Sequence, residues 1–168
     1  MIARIGWRRK AAFLYPIRPA PRCAVLAGPF RSRSPVRVFA GGWNEEAAKF
    51  APQAVAATLP QLEALEGVIL THAVIVLRRE WEPRLSDAER DRLWRQFRVP
   101  VFEQIIDASG ALLAAECEAH SGLHIASEKL AVGDHEIDRS PCGCGKGTPR
   151  LIRTQRIEEV RRVAAYAR

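Results

Sequence analysis

Apolar and polar positions change period several times along this chain, and each change marks an element. From Glu45 the run Glu-Glu-Ala-Ala-Lys-Phe has a helical pattern, with Asn44 as a cap and acids in the first turn, where the helix dipole favours them. After Pro52 the pattern predicts more helix over residues 54–59. Residues 68–70 and 73–77 form an apolar, β-branched run too short for a helix, which predicts a buried strand. Ser86 and Glu89 make a capping box ahead of Leu93, Trp94 and Phe97, so a helix runs to about Arg98. Residues 101–106, a turn at Asp107-Ala108-Ser109-Gly110, and residues 111–115 read as a β-hairpin. A last helix is predicted over residues 154–167, with Ile157, Val160 and Ala164 on one side and arginines mostly on the other. These elements predict an α+β fold, a single small domain with a mixed or antiparallel sheet and flanking helices.

Charge divides the chain unevenly. Of 168 residues, 26 are Lys or Arg and 19 are Asp or Glu, a formal net of +7. Residues 1–44 carry nine of the basic side chains and no acid, so the remainder holds 17 basic against 19 acidic groups. The division sets apart a basic, Pro-rich arm (residues 1–43) from an α+β domain (residues 44–168). An acid-free, Arg-rich start resembles a targeting segment, but its apolar stretch at residues 11–15 meets Pro16 and Arg18 at once. A solvated arm, or a start codon placed too early, is the simpler expectation, with β-prone runs at 23–27 and 36–40 able to join the fold. No apolar run approaches the ~18 residues of a membrane-spanning helix. The run Arg78-Arg79-Glu80 and the acids at 87–91 read as a wet face.

Chemistry concentrates in the last third. Cys117-x2-His120 follows a predicted strand, and Cys142-Gly-Cys144-Gly145 lies further on. Cys142 and Cys144 are too close for an easy disulfide, while the glycines allow a turn that aims two thiolates at one point. Cys117, His120, Cys142 and Cys144 make a Cys3His set suited to structural Zn²⁺, with no position left for water. His124 is the alternative ligand, and Cys23 and His135 fall outside the set. The competing reading is free thiols beside a surface histidine. Reduced thiols point to the cytoplasm. Gly145-Lys146-Gly147-Thr148 misses the phosphate-loop spacing, and neither a nucleophile elbow nor a His-Glu-x-x-His motif is present. No catalytic residue is assigned.

Two stretches carry a family resemblance. Residues 97–102 (Phe-Arg-Val-Pro-Val-Phe) with 116–125 (Glu-Cys-Glu-Ala-His-Ser-Gly-Leu-His-Ile) resemble phenylacetate–coenzyme A ligases, adenylate-forming enzymes of the acyl-CoA synthetase superfamily. Residues 142–151 resemble that family's Cys-x-Cys-Gly-Arg segment. Within this ligase-like segment, 97–151, the family's Tyr-Gly-x-Thr-Glu signature falls on Ile105-Ile106-Asp107-Ala108-Ser109 and is lost. The ribose-binding Arg-Tyr-x-Thr-Gly-Asp element is missing from the 17 residues between His124 and Cys142. The Ser/Thr/Gly-rich ATP loop and the lid with its Lys are absent too. Without a phosphate cradle or a magnesium carboxylate, charge on a transferred adenylyl group would go unstabilised.

The pattern therefore predicts a non-catalytic zinc-binding protein related to a fragment of phenylacetate–CoA ligase, with a zinc-stapled C-terminal loop region, acting by binding a protein partner. An AMP-forming acyl- or aryl-CoA ligase fragment or subunit is one alternative. Nucleic-acid binding through the basic arm is another, and it requires strong salt dependence.

Overall fold

A computed structural model describes residues 10–131 and 136–152. Its frame is a nine-stranded mixed sheet. The strands are β2 (Cys23–Val25), β4 (Val36–Val38), β5 (Ala54–Ala57), β6 (Ala73–Arg78), β7 (Val101–Ile106), β8 (Leu112–Glu116), β9 (Leu123–Ile125), β10 (Glu136–Asp138) and β11 (Arg150–Ile152). Across the sheet they run β10-β11-β9-β8-β7-β6-β5-β2-β4. The half from β4 to β7 is parallel, and from β7 to β10 every neighbour is antiparallel. A short parallel pair, β1 (Ala11–Ala12) with β3 (Phe30–Arg31), stands apart.

Three helices make three of the four connections of the parallel half, α1 (Glu45–Lys49), α2 (Leu59–Glu63) and α3 (Asp87–Phe97), and the connection from β2 to β4 carries β3 instead. All three pack on one face, where Ala47, Leu62, Leu93 and Phe97 meet Val55, Val74, Val76 and Val101. Phe13 and Phe30 from the basic first quarter cover the other face, over Val25, Ala56, Ile75 and Phe102. Covered on both sides, β5, β6 and β7 are buried along their whole length, as parallel strands require. The α+β class with a mixed sheet is thus the observed one, and the runs at 23–27 and 36–40 supply β2 and β4.

Local signals were obeyed where they were strong. Ser86 Oγ accepts from the Glu89 N–H at 3.3 Å, and Glu89 Oε2 accepts from the Ser86 N–H at 2.7 Å. The helix ends at Arg98, left-handed at φ +58°, just ahead of Pro100. The 107–110 turn is closed by Asp107, whose Oδ1 accepts from the N–H groups of Ser109 and Ala111 and from the Ser109 hydroxyl.

Three expectations need correcting. Residues 54–57 are a strand, not helix: alanine's helix propensity gives way to parallel pairing with β2 on one side and β6 on the other, which buries all four residues. Residues 68–70 lie outside the strand, and Ile69 is 88% exposed while Leu70 turns into the core. Arg78 is no wet-face residue. It is buried, it pairs through Nε with the wholly buried Glu103, and it donates to the carbonyls of Glu82 and Pro83. Arg84 Nε at 3.2 Å and the Leu85 N–H at 3.1 Å complete the hydrogen bonding of Glu103. The segment 154–167 and His135 lie outside the described residues.

At its β4 edge the sheet is capped by its own loop. Val36 exchanges both backbone hydrogen bonds with Arg33, and the Val38 N–H donates to Ser32 Oγ at 2.9 Å.

Candidate metal centre

The antiparallel half of the sheet exists to bring distant loops together. β8 ends at Glu116, and Cys117 opens a turn in which the His120 N–H donates to the Cys117 carbonyl at 3.0 Å. β9 then runs beside β11, with Leu123 opposite Leu151 and His124 opposite Arg150. That register places His124 against the segment that precedes β11, which contains Cys142 and Cys144. Gly122 makes the close approach possible: its φ is +119°, and a Cβ there would sit 2.7 Å from the Leu151 carbonyl oxygen. The Cys142–Gly145 turn is closed by a 2.9 Å bond from the Gly145 N–H to the Cys142 carbonyl.

The result is a convergence of four soft donors. One ligand atom from each of Cys117, His124, Cys142 and Cys144 lies within 4.8 Å of the others. Cys117 Sγ is 3.7 Å from Cys142 Sγ, and Cys144 Sγ is 3.3 Å from His124 Nε2. Zn–S bonds near 2.3 Å and Zn–N bonds near 2.0 Å give tetrahedral edges of about 3.8 Å for S···S and about 3.5 Å for S···N. The donor set therefore fits a tetrahedral ion in both chemistry and spacing. These four residues can hold a metal ion, and with all four positions supplied by protein the ion would serve as a staple rather than a Lewis acid.

Of the five residues named from sequence, the structure brings together Cys117, Cys142, Cys144 and His124, and leaves His120 out. His120 is left-handed at φ +47°. Its Nδ1 is 3.2 Å from Glu116 Oε1, and its ring stacks on Phe102 with centroids 4.9 Å apart. Cys23 is buried elsewhere in the sheet, in the cluster of Val25 and Phe102.

Two further residues shape the site, and sequence reasoning missed both. Thr148 holds the imidazole: His124 Nδ1 lies 2.8 Å from its Oγ1 and 3.2 Å from its carbonyl oxygen. A proton on Nδ1, donated to that carbonyl, leaves the Nε2 lone pair facing the cysteines, the arrangement of a metal-binding histidine. Ser121 Oγ sits 3.5 Å from Cys142 Sγ and also takes a bond from Arg150 Nη1. Both contacts depend on the β9–β11 pairing, for which spacing in the chain offers no signal. The Cys144 N–H, with the Ser121 hydroxyl second, pulls the Cys142 thiol down to about 5, while burial pushes the Cys117 thiol up to about 11.

No family model matches the sequence, and no curated protein matches it. Among solved structures the chain is similar to a 2-hydroxyisobutyryl-CoA ligase, solved in an open conformation with 2-HIB-AMP and CoA. The likeness covers 80% of this chain and 44% of that one, at a TM-score of 0.54 and 14% identity. The fold resembles part of that ligase. At that identity the likeness is one of fold, and the chain spans less than half of the ligase's length. Among the described residues no helix is long and apolar enough to cross a membrane.

Proposed function

We propose that this chain is a non-catalytic zinc-binding protein, related to a fragment of phenylacetate–CoA ligase, that acts by binding a protein partner. One contrast carries the reading: four metal-type donors converge past the far end of β8, whereas the polar groups of the turn at its near end are already committed. Ile105 and Ile106 are buried at the end of β7. The Asp107 carboxylate and Ser109 hydroxyl are bonded to each other and to the turn that joins β7 to β8. The signature that would hold an adenylate is replaced by a self-satisfied hairpin, whereas the Cys/His staple stays complete. When bound, zinc would supply folding free energy, which reaches on the order of 10 kcal/mol in small zinc peptides.

The test is metal content by mass spectrometry on purified protein, beside a Cys142→Ser/Cys144→Ser variant and a Cys23→Ser control. One zinc per chain, kept in the control and lost in the double variant, is the expected result. No metal in any of the three would overturn the proposal.

A second reading is favoured by the fold itself, which is shared with part of a CoA ligase. On that reading the chain is an AMP-forming ligase fragment or subunit. ATP-dependent pyrophosphate release with aryl acids would support it, and its absence would count against it.

A further inference from the structure

We infer that the Cys/His cluster is a peroxide-responsive centre in which Cys144 is the reacting thiol and Cys117 the resolving one. The inference rests on the zinc reading above and adds to it a regulatory chemistry. Three observations carry it. The cluster's sulfurs differ in access: Cys117 and Cys142 are buried, and Cys144 is only partly so. An oxidant arriving from solvent therefore meets Cys144 first. All three sulfurs lie within 4.8 Å of one another, so a sulfenic acid on one has a thiol within reach without unfolding. Finally, the two cysteines nearest in the chain, Cys142 and Cys144, are poorly placed to pair with each other, because a single residue separates them. That leaves Cys117 as the partner for Cys144.

The chemistry balances with a peroxide as oxidant. Cys144 Sγ attacks one peroxide oxygen; the S–O bond forms, the O–O bond breaks, and hydroxide leaves and is protonated to water. Cys117 Sγ then attacks the Cys144 sulfur; the S–S bond forms, the S–O bond breaks, and a second water departs. Two thiols have lost two electrons and one peroxide has gained them. With two of its four donors joined, the set retains only Cys142 and His124 and no longer holds an ion. A dithiol reductant with added zinc would restore it. The site lies beside the β9–β11 pairing, so release would also loosen the Cys142–Gly145 turn that leads into β11.

The experiment uses the full chain purified with zinc. Zinc is counted first, then hydrogen peroxide is added in the presence of a chromophoric chelator, and the disulfide is mapped by mass spectrometry. A parallel sample carries dimedone to trap the sulfenic acid. Release of one zinc per chain with a Cys117–Cys144 disulfide is expected, and the dimedone adduct should fall on Cys144. Cys144→His keeps a four-donor set without the accessible thiol, and should slow release by about tenfold or more. Cys23→Ser should release at the wild-type rate. Less than one zinc per chain before oxidant would sink the zinc reading and this inference with it. A full zinc count with no release, or a first adduct on Cys117 or Cys142, would overturn only the present inference. The dimedone arm decides the matter even if Cys144→His fails to fold.

Discussion

Gly122→Ala is the substitution that most directly tests how the centre is assembled. Two costs add at this position. A φ of +119° is strained for any residue with a Cβ, by roughly 1–2 kcal/mol. The new methyl would also sit 2.7 Å from the Leu151 carbonyl oxygen, which is backbone and cannot swing aside. β11 must therefore move away from β9, weakening one or two ladder hydrogen bonds at about 1 kcal/mol each. Together these predict a loss of about 2–4 kcal/mol in chemical denaturation of the zinc-loaded protein. The same shift draws His124 from the cysteines, so zinc affinity should fall by about tenfold, the equivalent of about 1.4 kcal/mol. Gly145→Ala is the natural control. Its φ is +79°, but nothing lies within 4 Å of the added carbon, so it should cost only the strain, about 1–2 kcal/mol. If Gly122→Ala stays within about 0.5 kcal/mol of wild type, or Gly145→Ala costs as much, the account of β9–β11 as the positioning device is wrong.

Other substitutions probe separate parts of the molecule. Thr148→Val removes the Oγ1 contact of His124 but leaves the carbonyl at 3.2 Å, so competition with a chromophoric chelator should show zinc affinity reduced about tenfold, the lower end for such outer partners. Glu103→Leu strands the buried Arg78, takes the carboxylate from the half-buried Arg84, and should lower stability by about 3–5 kcal/mol in urea titration; a near-neutral result would mean the arginines find water. Asp107 is held below the usual carboxylate range, chiefly by the Ser109 hydroxyl, so its contribution to stability is complete above the ordinary carboxylate pKa and fades as pH falls through the lowered one. Stability measured from pH 7 down to pH 3 should therefore decline less steeply in Asp107→Asn.

The features legible in the sequence were those decided by neighbours in the chain. The Ser86–Glu89 box and the Asp107–Gly110 turn rely on hydrogen bonds that span four residues or fewer, and both formed as expected. The three cysteines were legible because thiolates two residues apart with flanking glycines have few other uses. What failed was decided by partners far along the chain. Ala54–Ala57 became a strand because β2 and β6 were waiting on either side. Arg78 is buried because Glu103, from the next strand, meets it. The choice between His120 and His124 turned on backbone direction. His120 occupies a left-handed turn and leans on Phe102, whereas His124 sits in a strand whose partner carries the cysteine loop to it.

The capped edge at β4 restricts how this protein can meet another. An extended peptide lengthens a sheet by bonding to free backbone groups along an outer strand, and the same groups template fibrils. Here Val36 has already closed its donor and acceptor on Arg33, and Val38 its donor on Ser32. Strand addition on this side is thereby refused, to a second copy as much as to a foreign chain. Recognition at this border must be written in side chains, with Arg37 and Glu46, joined at 3.9 Å on the surface, among the first that a partner would touch.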